Sequence, residues 1–310
     1  MNKSKNGITL VALIITVIVL LILAIVSISL VINSGIINKA QQGVDKYSEE
    51  EELEQIKLAV ASARLKGNGF LTTQNLNSEL QDRFGEEATP RSNGWRYKDY
   101  NIKENGEVNK SLLPAEYQQV EYIESTGTQY IDTDIKLSRS NTINIIWMLT
   151  YNKERENFFI FGARDSATKN NLEFYKNIDG YINLDYGNYQ DNRIQIETIN
   201  LNKWYETKIT KELLVNNDIQ CNISNTNEFI TPPIYIFYAN NIFSGSPMKG
   251  KIKKFEIENV ANFIPCYTTT TVTDVDGISR PKDTIGMYDT VEGKFYVNKG
   301  TGTFLKGADV

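Results

Sequence analysis

The stretch that most constrains this chain is Ile8 to Ile32, twenty-five consecutive residues without a single charge. As a helix it would rise about 37 Å, enough to cross a hydrocarbon core of about 30 Å with some tilt. An ionised side chain at the centre of a bilayer costs at least ~2.5 kcal/mol, so a run this long and this clean is expected in a membrane. Its only polar side chains are Thr9, Thr16, Ser27 and Ser29, hydroxyls that can bond back to the helix's own carbonyls. A cleaved secretory signal has a shorter apolar run and a small-residue cleavage site, and Ser27-Ile28-Ser29 is a poor one. A plain signal anchor stays open as the simpler reading.

Lys3 and Lys5 precede the run, which by the positive-inside rule puts the amino terminus in the cytoplasm and everything after Asn33 outside. The expected placement is therefore a single-pass membrane protein with an extracellular C-terminal portion.

The junction itself, Lys5-Asn6-Gly7-Ile8-Thr9-Leu10-Val11, resembles the processing site of the type IV pilin family: a short basic leader, a Gly, then the apolar helix. The resemblance implies cleavage between Gly7 and Ile8 by a prepilin peptidase, N-methylation of Ile8, and packing against other pilin subunits through the helix. The family usually places Glu at the fifth position after the cut, and here that position is Ala12. Without that carboxylate, packing between subunits would rest on apolar contacts, and assembly into a surface pilus is left open.

Beyond the run, Ile37, Ala40, Val44 and Tyr47, and after the acidic Glu49 to Glu52 also Leu53, Ile56, Val60 and Ala63, recur at helical spacing. The two stripes are out of phase, so the helix either shifts its buried face or breaks near Ser48, and Gly67-Asn68-Gly69 ends it. Thr73 to Leu80 reads as a short capped helix with Leu76 and Leu80 on one face. The alternating Trp95 to Ile102 and the Asn105-Gly106 pair follow as a hairpin. From Leu112 onward the chain turns to many short segments rich in Ile, Tyr, Phe and Thr, separated by Gly, Asn and Asp, which is the texture of a two-sheet sandwich or jelly roll.

The expected fold class is thus α+β. Residues 1–7 form a prepilin leader, 8–66 a pilin-type helix (8–32 in the membrane), 67–111 a small helix-hairpin head and linker, and 112–310 an all-β sandwich. Two stretches carry a second resemblance. Leu113 to Thr133 looks like the opening strands of a laminin-G/concanavalin A-like jelly roll. Phe263-Ile-Pro-Cys-Tyr and Ile285 to Phe304 look like its closing strands, with a Thr-rich loop, Thr268 to Lys282, between them. That resemblance implies a binding module and transfers no ligand residues.

Composition excludes several chemistries. There is no histidine, which removes Ser-His-Asp triads, Cys-His pairs and His-based zinc sites. The net charge of −5, with Lys and Arg scattered, gives no reason to expect a nucleic-acid partner. Cys221 and Cys266 could pair in an oxidising exterior or sit apart as small hydrophobes, and free thiols are preferred. Glu256 and Glu258 share a strand face, and Glu121 and Glu124 face opposite ways. Neither pair makes a convincing set of glycosidase carboxylates, so no catalytic residue, enzyme activity or cofactor is expected. Asp132 with Asp134, and Asp274 with Asp276 beside Gly277, are weak calcium candidates whose spacing also suits ordinary turns. Tyr175, the stretch from Tyr181 to Tyr189 and Ile234-Tyr-Ile-Phe-Tyr supply aromatics that could stack on sugars or fill the core.

The functional expectation is a pilin-like surface protein whose jelly roll binds a glycan or a protein. The alternatives are a pseudopilin or minor pilin of a secretion or DNA-uptake machine, and a membrane-anchored carbohydrate-active enzyme.

Overall fold

The computed structural model describes residues 14–21, 36–137, 141–151, 156–166, 169–187, 193–196, 199–210, 212–216, 218–222, 232–240 and 245–310. The helices among them are α1 (14–21), α2 (Ile36–Lys66) and α3 (Thr73–Phe84), and strands make up most of the rest.

This corrects the α+β expectation built on a long membrane or pilin-type helix. Among the described residues no helix is long and apolar enough to cross a membrane. Residues 14–21, apolar apart from Thr16, are helical. The long helix α2 carries Glu49 to Glu52, Glu54, Lys57 and Arg64 along its length, charges no bilayer core would accept. The expected single-pass placement with the amino terminus in the cytoplasm is corrected on the same finding. Gly7, Ile8 and Ala12 lie outside the described residues.

Contacts divide the chain into two compact units, 1–88 with 102–108, and 89–101 with 109–310. In the first, α2 runs unbroken past Ser48 and packs on α3, burying Ile56, Ala59, Val60 and Ala63 together with Leu76 and Leu80. The helix stops where Asn68 and Gly69 take positive φ. Thr72 caps α3, its hydroxyl accepting from the Asn75 amide at 3.2 Å, and Gly85 closes it in the left-handed region. Arg64 Nη1 donates to the Asn105 carbonyl at 2.8 Å, fixing the Asn105-Gly106 turn to the end of α2.

The second unit is a β-sandwich. Its larger sheet runs Asp218–Asn222, Glu212–Val215, Tyr205–Ile209, Ile143–Leu149, Lys249–Ile257, Ala261–Thr268, Ile285–Asp289 and Lys294–Val297, each antiparallel to the next. Its smaller sheet runs Arg193–Ile196, Ile182–Gly187, Lys169–Lys176, Phe158–Ser166, Tyr235–Ile236 and Ile131–Asp132, also antiparallel. The two inner faces meet through large rings: Trp147 lies edge-on to Phe174 at 5.4 Å, and Phe161 to Phe255 at 5.2 Å. The indole of Trp147, wholly buried, is satisfied by donating to Thr207 Oγ1 at 2.9 Å.

Residues 89–101 belong to this unit through polar contacts. Arg96, buried, donates to the carbonyls of Lys98 and Leu113, and Asn93 donates to the Asp309 carbonyl at 2.5 Å.

Candidate binding face on the smaller sheet

Strand alternation sorts the smaller sheet into two faces. Ile131, Ile236, Phe161, Phe174 and Leu184 enter the main core. Their neighbours form in-register rows on the other face. One row runs Asp132, Tyr235, Gly162, Glu173, Asp185 across five strands, and the next runs Phe159, Tyr175, Asn183, Gln195. Residues opposite one another in such a row have Cβ atoms about 4.5–5.5 Å apart, close enough for side chains to bond directly.

Asn183 Nδ2 donates to the hydroxyl of Tyr175 directly opposite at 3.3 Å, and two further bonds run diagonally, Arg164 Nη2 donating to Glu173 Oε2 at 2.5 Å and the Tyr175 hydroxyl donating to Asp185 Oδ2 at 3.0 Å. Glu173, Asn183, Asp185 and Asn171 are all buried. Carboxylates out of contact with water must be ion-paired or hydrogen-bonded, and Glu173 and Asp185 meet that requirement within the face itself.

A continuous run of rings borders this polar patch. Tyr235 stacks on Tyr130 at 5.0 Å, Tyr130 meets Tyr238 at 5.6 Å, Tyr238 meets Phe159 at 6.2 Å, and Phe159 stacks on Tyr175 at 5.1 Å. Phe159, Tyr175 and Ala239 form a cluster of their own, separate from the main core. The outer members, Tyr130, Tyr235 and Tyr238, are half-buried and keep part of their surface open. Burial, and then the neighbouring Asp132 carboxylate, push the Tyr235 phenol up to about 12. Burial likewise raises Asp132, against the Asp134 amide that donates to its Oδ1 at 3.1 Å. The patch therefore offers flat apolar rings edged by hydroxyls beside one half-buried carboxylate. That set can stack on an apolar ring face and hydrogen-bond polar groups around its rim.

The aspartates considered for calcium are otherwise engaged. Asp132 holds a local turn in which Asp134 has φ +57°. Asp274 Oδ1 accepts from the amides of Asp276 and Ile278, its Oδ2 accepts from Arg280 Nε at 2.5 Å, and Asp276 pairs with Lys299. Burial works to raise Asp274, but the amides and Arg280 together bring it below the ordinary carboxylate range.

Glu256 and Glu258 sit on the outer face of the larger sheet. They share the Asn144 amide at 3.1 and 3.2 Å and pair with Lys254 and Lys208. Hydrogen bonds from those lysines hold both below the usual carboxylate value, opposite to what a general acid needs. Glu124 lies 3.7 Å from Lys251, and Glu121 is exposed. Cys266 is a buried free thiol, raised by desolvation, whereas Cys221 is placed only by its register opposite Leu213.

The polar half of the face, Arg164, Glu173, Asn183 and Asp185, was missed from sequence. Its signal was present in Asn171-Leu-Glu-Phe-Tyr and Asn183-Leu-Asp, where polar residues alternate with core ones inside strands.

No family model matches the sequence, and no curated protein does. Among solved structures, the chain is similar to a candidate carbohydrate binding protein from Bacteroides ovatus, with a TM-score of 0.39 and 12% identity over 62% of this chain and 62% of that one. A likeness that distant decides neither the fold nor the ligand.

Proposed function

We propose that the chain is a non-enzymatic binding module and that the tyrosine face of the smaller sheet takes a neutral glycan, serving adhesion. The observation that carries this is the unbroken run Tyr235, Tyr130, Tyr238, Phe159, Tyr175 along the face turned from the main core, Tyr130 also packing against that core, with Asp132 beside its open end. Sugar rings present an apolar C–H face ringed by hydroxyls. Stacked tyrosines match the first, and phenols with a carboxylate match the second. The buried Arg164–Glu173 and Tyr175–Asp185 bonds hold the supporting strands in register, so the rings are set before a ligand arrives.

A glycan array probed with the full chain tests this. Saturable binding to a defined set of glycans is expected, weakened at least about tenfold in Tyr235→Ala, a loss of ~1.4 kcal/mol. Absence of saturable binding, or a Tyr235→Ala variant that binds like the parent, would overturn it. Release of new reducing ends from a bound glycan would overturn the non-enzymatic part.

A further inference from the structure

The larger sheet carries a second constellation on a different face. Lys249, Lys251 and Lys253 come from one strand, and each ammonium lies over an aromatic ring. Lys249 lies 4.4 Å from the centre of Tyr151, Lys251 4.3 Å from Tyr122, and Lys253 4.4 Å from Trp204. The rings of Tyr122 and Trp204 are themselves in contact at 5.8 Å, so the middle of the stripe is continuous. Gly307 packs flat under Tyr122, where a Cβ would come within 2.8 Å of the ring carbons.

A β-bulge produces the density of charge. The register against Ile143–Leu149 shifts between Ile252 and Lys254. Ile252 and Phe255 both stay wholly buried while Lys251, Lys253 and Lys254 all leave the core. Strict alternation would have sent one of these lysines inward. Lys251 and Lys254 have Glu124 and Glu256 within reach. Lys249, Lys253 and the neighbouring exposed Lys203 make no ion pair with any described carboxylate, and their recorded partners are rings. Cation–π contacts fix an ammonium in place without neutralising it. The result is a row of ordered positive charges interleaved with half-exposed Trp204 and Tyr122 and exposed Tyr151.

We infer that this stripe is a second binding site, for an anionic polysaccharide whose sugar rings carry carboxylate or sulfate groups. The lysines complement the acidic groups, and the polar rims of Tyr122, Tyr151 and Trp204 offer hydrogen bonds to the sugar hydroxyls. A nucleic acid fits less well. Its bases stack on open aromatic faces, and here a lysine ammonium lies over each of Tyr151, Tyr122 and Trp204.

The test is affinity electrophoresis of the full chain in gels containing polygalacturonate, dextran sulfate or neutral dextran, with single-stranded DNA as a further arm. Retardation by polygalacturonate or dextran sulfate is expected, fading as salt is raised and exceeding any in neutral dextran; the stronger of the two anionic arms identifies the acidic group. The double substitution Lys249→Glu with Lys253→Glu should weaken retention about tenfold. Lys253→Gln should fall between, and Tyr235→Ala should leave retention unchanged, which separates this site from the tyrosine face. Equal retardation in neutral dextran, tighter binding of the DNA, or retention by a double variant with parental circular dichroism would each overturn the inference.

Discussion

Gly162 shows how one residue without a side chain can organise a face. It stands in the row between Tyr235 and Glu173, with φ +154°, and a Cβ there would press on the Leu172 carbonyl and approach the Glu173 Cα to 2.9 Å. It lies inside a strand that runs from Phe158 to Ser166. A glycine inside a strand often marks close approach of a neighbouring backbone, and that approach has no local sequence signature. Gly162→Ala is expected to destabilise the protein by about 2–4 kcal/mol, combining overpacking with backbone strain. The midpoint of denaturant unfolding measures it, and an unchanged midpoint would show that the adjoining strand yields freely. Asp274 makes the related point for charge. Its i, i+2 spacing with Asp276 fits a cation site and a turn equally well, and sequence spacing does not reveal that Arg280 pairs with Asp274 and Lys299 with Asp276.

At the scale of elements, the helices of the first unit were legible because their signals are local. The stripe Ile56, Val60, Ala63 and the pair Leu76, Leu80 are buried as their periodicity requires, and the Gly67-Asn68-Gly69 stop falls at the helix end. The capping hydroxyl of Thr72 gives this a measurable consequence. Thr72→Ala removes the partner of the Asn75 amide and should cost about 1 kcal/mol, seen as roughly fivefold faster hydrogen exchange at the first amides of α3. Unchanged exchange would show that packing on α2, not the cap, holds that end. Strands were legible where β-branched and aromatic residues alternate. Glu212–Val215, Glu-Leu-Leu-Val, lacks that alternation and is held as a strand by its partners Tyr205–Ile209 and Asp218–Asn222. The Thr-rich stretch read as one long loop contains a small hairpin, Val272–Thr273 with Ser279–Arg280, closed around the Asp274 turn.

At the scale of the molecule, what sequence could not supply was the set of contacts between distant residues. The grouping of 89–101 with the sandwich depends on Asn93 reaching Asp309 and on Arg96 reaching Leu113, pairings that no periodicity announces. The absence of histidine, by contrast, was visible at once and has a consequence for the whole protein. No side chain with an ordinary pKa changes charge between about pH 5 and 8 in a chain that has none, so stability should be nearly flat there. Buried phenols define the alkaline limit. Burial pushes Tyr117, Tyr235 and Tyr267 up to about 12, with Tyr288, Asp132 and Asp309 respectively adding to the effect. A folded-state value raised above the unfolded one means that stability is intact below the ordinary phenol value of about 10 and is lost as pH climbs from there toward 12, because the unfolded chain ionises first. Thermal unfolding should therefore hold a constant midpoint through neutral pH and fall steeply above about pH 10, with phenolate absorbance from these rings appearing together with loss of the fold. Tyrosines that all ionised near 10 without any drop in midpoint would contradict the burial of Tyr235 beside Asp132, and with it the preset ring surface on which glycan recognition depends.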